Sequence, residues 1–114
     1  MGLAVIEPVM DTLYGDAGDS RKAEFEAAMI PHAMAAFETP ATTPAWAESE
    51  YSGRRTYLRT LNDCCNPAFL QDIWLEKSGV QWDVRDLNSD HYPFVSRVEE
   101  VATICLEVFE KWRS

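Results

Sequence analysis

The stretch RRTYLRTLNDCCNPAFLQDIWLEKSGVQWDVRDL, residues 54–87, decides the fold. It opens with a run rich in β-formers, Thr56, Tyr57 and Thr60, that reads as a strand. A polar loop, NDCC, follows. Asn66 is placed to cap a helix with Pro67 at its first position, and Leu70, Ile73 and Trp74 share a face of that helix. Gly79 ends it. In VQWDVRDL, Val80, Trp82 and Val84 alternate with Gln81, Asp83 and Arg85, the period of a second strand. Strand, helix and strand joined by short loops imply two parallel strands with a right-handed crossover.

Outward from this unit, NSDHYP forms a loop and the chain closes on a long helix. Ser96 and Glu99 stand at capping-box spacing for it. Val98, Val101, Ala102, Cys105, Phe109 and Trp112 would line its buried stripe, and Lys111 and Arg113 suit its carboxyl end. The preceding residues have another character. Residues 1–50 are rich in Ala, Met and Pro and show no clear strand. SRKAEFEAAMI sets Phe25, Ala28 and Met29 at helical spacing after Ser20, and Pro31 breaks that helix or begins a second, PHAMAAFE. The expected organisation is a helical segment, 1–53, followed by a β-α-β-α unit, 54–114, of α/β class.

Composition narrows the function. The 114 residues are 46% hydrophobic and 25% charged, as in an ordinary globular domain. A net charge of -9 opposes nucleic acid, which needs a basic face, and an anionic membrane surface. No apolar run is long enough to span a bilayer, and MGLAVIEPVM is a poor signal peptide. Three cysteines, Cys64, Cys65 and Cys105, without such a signal, point to reduced thiols in a cytoplasmic setting. No zinc spacing is present and no cofactor is implied.

Topology selects two residues. Asp63 lies just past the carboxyl end of the first strand and His91 just past that of the second. Parallel strands deliver both to one edge, where open α/β sheets build their sites. A carboxylate that accepts one ring N–H fixes the tautomer of a histidine and leaves the other nitrogen to take a proton. The equally open reading makes Asp63 a loop acid and His91 a satisfied surface residue. His32 reads as a helix-start or surface residue. A Cys–His nucleophile from Cys64 or Cys65 is possible in chemistry, but ordinary loop and core cysteines fit better.

Longer segments carry a resemblance. YLRTLNDCCNPAFLQDIW and NSDHYPFVSRVEEVATICLEVFEKW resemble the carboxyl-terminal third of α/β-hydrolase-fold proteins, in the branch of plant hydroxynitrile lyases, methyl-ester esterases and their fungal relatives. There a strand of pattern Y–hydrophobic–x–T–x–x–D ends in the triad acid, here Asp63, and a later DH carries the triad histidine, here His91. YGDAGDSRKAEFEAAMIPHAMAAFETPATTPAW is similar to the helical cap of fungal members. The resemblance implies hydrolysis of a small ester or related acyl substrate. Such enzymes carry their nucleophile in a G-x-S-x-G elbow, and no such motif occurs among these 114 residues. The expectation is therefore a truncated or split chain starting inside the fold, inactive by itself. Two alternatives stand beside it: a non-catalytic binding module, and a half that complements an amino-terminal hydrolase half.

Overall fold

A computed structural model describes residues 2–114. The amino-terminal segment contains β1 (Leu3–Ala4), α1 (Val9–Leu13), α2 (Asp19–Ala28), β2 (His32–Ala33) and α3 (Ala35–Glu38), then single 3-10 turns at Ala45–Ala47 and Ser49–Tyr51. The remainder contains β3 (Thr56–Thr60), α4 (Ala68–Lys77), β4 (Asp83–Leu87), α5 (Pro93–Ser96) and α6 (Val98–Arg113). The class is mixed α/β, with helices around a parallel strand pair.

β3 and β4 pair in parallel, from Thr56 opposite Asp83 to Thr60 opposite Leu87. The ladder continues past both strands: Leu61 N donates to Leu87 O at 3.0 Å and Asn62 N to Ser89 O at 3.1 Å. The chains leaving the two carboxyl ends therefore stay side by side, which brings the residues after them together. Gly79 takes φ +67, a left-handed conformation that suits glycine, and its N–H bonds Glu76 O to stop α4. The 3-10 segment is tied to the start of β3 by Arg55, whose buried guanidinium donates to the carbonyls of Trp46 and Glu48. Trp46 packs on Trp82, which in turn meets Tyr57 edge-on.

Several local expectations are corrected. The segment before residue 54 does contain strands: Leu3–Ala4 and His32–Ala33 form a two-residue antiparallel pair. Pro31 and His32 thus precede the one-turn α3 and do not begin a helix. Ser20 lies inside α2, whose N-cap is Gly18. Asn66 does not cap α4; Pro67 holds the N-cap position, and Asp63 takes the amides of that turn. The Ser96–Glu99 capping box is absent. Ser96 ends α5, Arg97 stands at the N-cap of α6, and the Ser96 hydroxyl donates to Asp16 instead.

Burial also differs from the expected stripes. Along α6 the covered positions are Val101, Ile104, Val108 and Trp112, whereas Val98, Cys105 and Phe109 are exposed. In α4 the covered positions are Ala68, Leu70, Gln71 and Leu75, while Phe69, Ile73 and Trp74 face outward. In β4 Val84 and Asp86 are exposed while Asp83, Arg85 and Leu87 are covered, so burial alternates to the strand's end but in the opposite phase to the one expected. Both helices carry more apolar surface than one packing face uses, and the spacing of apolar residues cannot say which side the sheet takes.

Candidate active site

The loop after β3 folds around the carboxylate of Asp63, which is 6% exposed. Oδ1 accepts the backbone N–H groups of Cys65 at 2.8 Å and Asn66 at 2.7 Å, and Oδ2 accepts the Thr60 hydroxyl at 2.8 Å. A short acid followed by two free amides forms an Asx turn, and this sets the direction of the side chain. His91 Nδ1 stands 3.1 Å and 2.9 Å from the two carboxylate oxygens. A carboxylate only accepts, so Nδ1 carries the proton and Nε2 is the basic ring nitrogen when the ring is neutral. The two residues that topology singled out are in direct contact.

Gln71 of α4, which the sequence reading passed over, stitches this corner together. It is 2% exposed. Its Nε2 donates to Thr60 O at 2.9 Å and Asn66 O at 2.7 Å, and its Oε1 accepts Thr60 N at 3.1 Å. The backbone N–H and C=O of Thr60 point away from β4, because odd-numbered neighbours such as Leu61 make the ladder bonds. The amide of Gln71 serves that open edge as a strand would, and no hydrophobic pattern marks such a residue. Asp90, 5% exposed, was also missed: its Oδ1 accepts the amides of His91 at 2.8 Å and Cys64 at 3.3 Å.

Two openings flank the pair. A cavity of about 270 Å³ runs along the open edge of β3 from Thr56 and Leu58 to Asp63 and His91. Thr56 Oγ1 is buried and has no hydrogen-bond partner among the described residues. A larger open groove, about 1130 Å³, lies between residues 4–13 and 28–32, with Tyr92 at its wall. Tyr92 connects the groove to the pair, since its ring centroid is 4.8 Å from that of His91. His32 lines this groove, exposed and apart from the Asp63–His91 contact.

Cys65 sits close to the pair, but burial first, and then the charges of Asp63 and Asp90, push its thiol upward. A thiol held neutral is a weak nucleophile. Cys64 and Cys105 are free and exposed. Among the described residues no group of three or more His, Cys, Asp or Glu could hold a metal ion. Nor is any described helix long and apolar enough to cross a membrane.

Comparison with solved structures gives a similar fold in polyneuridine aldehyde esterase, with a TM-score of 0.69 at 16% sequence identity over 87% of this chain. That enzyme has the α/β-hydrolase fold. This chain has part of an α/β-hydrolase fold. It spans 39% of the length of the esterase chain. No protein-family model matches the sequence, and no curated protein does.

Proposed function

We propose that the chain supplies the acid and base of a Ser-Asp-His hydrolase acting on a small ester or related acyl compound. Asp63 orients His91, and Nε2 of His91 takes the proton of a serine that lies outside these 114 residues. An acyl-enzyme then forms, and water activated by the same nitrogen releases the acid. Residues 1–53 act as the lid over the substrate, and the chain alone turns nothing over. One observation carries this reading: a buried carboxylate, held by a hydroxyl and two amides, bonds Nδ1 of a histidine at the carboxyl edge of a parallel pair. The esterase-like fold supports it.

Serine labelling tests the proposal. The chain is incubated with a fluorophosphonate, alone and after co-expression with an amino-terminal hydrolase half that carries a G-x-S-x-G elbow. Alone, no adduct should form. In the pair, the elbow serine should be labelled, with His91→Ala slowing the reaction by about 10²–10⁴-fold. An adduct on a serine of this chain that disappears in His91→Ala would move the nucleophile into it. Labelling in the pair that ignores both His91→Ala and Asp63→Asn would remove the assigned roles. A second reading, a non-catalytic binding module, is favoured by the lack of any G-x-S-x-G motif in the sequence, and an inert pair would select it.

A further inference from the structure

The contact between Asp63 and His91 depends on two loops holding still relative to each other, and the bonds that do this converge on Asp90. One carboxylate oxygen, Oδ1, accepts an amide from each loop: Cys64 N, next to the acid, and His91 N, at the base. Asp90 is in turn held from the other half of the chain. Its own N–H donates to Asp16 Oδ2 at 3.0 Å, and Ser96 Oγ donates to the same oxygen at 2.7 Å. Asp16 thus spans to both ends of the segment that carries His91.

Gly15, beside it, leaves room for this arrangement. A Cβ built there would overlap Asp90 Oδ2 and lie 3.3 Å from Asp11 O. Since the Gly15 φ is not in the left-handed region, any requirement for glycine comes from that contact and not from the backbone. Aromatic packing follows the same route. Phe25 of α2 stacks on Tyr14 at 4.6 Å, Tyr14 meets Tyr92 at 4.8 Å, and Tyr92 meets His91 at 4.8 Å.

We propose that Asp90 is a positioning residue that locks the Asp63 loop to the His91 loop, and that Gly15 and Asp16 of the amino-terminal segment close the lock. The orientation of His91 then depends on docking of residues 14–16, so undocking that segment disarms the base without touching either catalytic side chain. The inference rests on the placement of Asp63 and His91 and not on the reaction proposed for them.

Amide hydrogen exchange and the tautomer of His91, both read by NMR on the whole chain, test it. In Gly15→Ala the amides of Cys64, Asp90 and His91 should exchange faster, each by on the order of tenfold, the worth of one hydrogen bond. The amides of Leu61 and Asp83 in the β3–β4 ladder should keep their rates. The Nδ1–H fraction of His91 should fall in the same variant. Asp16→Ala, at an exposed position, should reproduce both effects, and Asp16→Asn, which keeps an acceptor oxygen, should restore them. Unchanged exchange and tautomer in Asp16→Ala would overturn the proposal, as would uniform loss of protection in Asp16→Ala. Because neither readout needs turnover, a failed labelling experiment leaves this result standing, and the reverse also holds.

Discussion

Replacing Gln71 with Ala should destabilise the protein far more than replacing the larger apolar Phe69, two residues earlier on the same helix. Gln71 is 2% exposed and bonds Thr60 N, Thr60 O and Asn66 O. Truncation leaves one backbone donor and two backbone acceptors without their partner at the open edge of β3. A buried polar group left unpaired costs about 1–3 kcal/mol. Water will reach part of the vacated space through the adjoining cavity, so the low end applies to each group, for a total of about 3 kcal/mol. Phe69 is 63% exposed, and Phe69→Ala should cost less than about 1 kcal/mol. Urea denaturation followed by tryptophan fluorescence measures both, with the midpoint compared at constant slope. The cavity also borders Asp63, so Gln71→Ala should speed exchange of the Thr60 amide above that of Leu61. A cost below about 0.5 kcal/mol for Gln71→Ala, or a larger loss for Phe69→Ala, would refute the account of how this corner is held.

Acid should weaken the fold through its surface ion pairs. Arg59 bonds both oxygens of Asp86 and holds that carboxyl below the usual aspartate range, and Arg85, followed by Lys111, does the same for Asp83. A lowered folded pKa means fewer protons bound when folded, so this stability is full above the unfolded value and is lost as pH falls through the folded one, from about pH 5 downward. Urea midpoints should drop there, and Asp86→Asn should flatten the drop; an identical acid limb in the variant would count against it. Iodoacetamide near neutral pH should alkylate exposed Cys64 and Cys105 well before Cys65, whose thiol is pushed up, and preferential modification of Cys65 would contradict that. Phe109→Ser and Leu106→Ser, on the outward face of α6, should leave the urea midpoint within about 0.5 kcal/mol while reducing binding of a hydrophobic dye; a large loss of stability would mean this face is packed.

The β-α-β unit was legible because each of its signals is local. Tyr57 and Thr60 favour a strand, Gly79 stops a helix with a positive φ, and parallel strands leave their carboxyl ends at one edge. Asp63 and His91 followed from that topology. Their support was hidden because it is made of polar groups with no period. Gln71 is a helical glutamine like any exposed one until β3 is seen beside it, and Asp16 and Asp90 are 74 residues apart. The Ser96–Glu99 spacing matched a capping box, but the bond from Ser96 to Asp16 across the fold took the hydroxyl. The buried face of α6 was misread for a different reason. The helix is apolar at Val98, Cys105, Leu106 and Phe109 as well as at Val101, Ile104 and Val108, and only the sheet decides which set it covers.

The central claim concerns a proton on one nitrogen. Nitrogen-15 spectra of histidine-labelled protein, recorded at a pH where the rings are neutral, distinguish Nδ1–H from Nε2–H directly, with exposed His32 as the internal reference. The account predicts Nδ1–H for His91 in the parent protein, and a switch toward Nε2–H in Asp63→Asn, whose amide can donate to Nδ1. His91 protonated at Nε2 in the parent protein, or a tautomer that does not respond to Asp63→Asn, would contradict it.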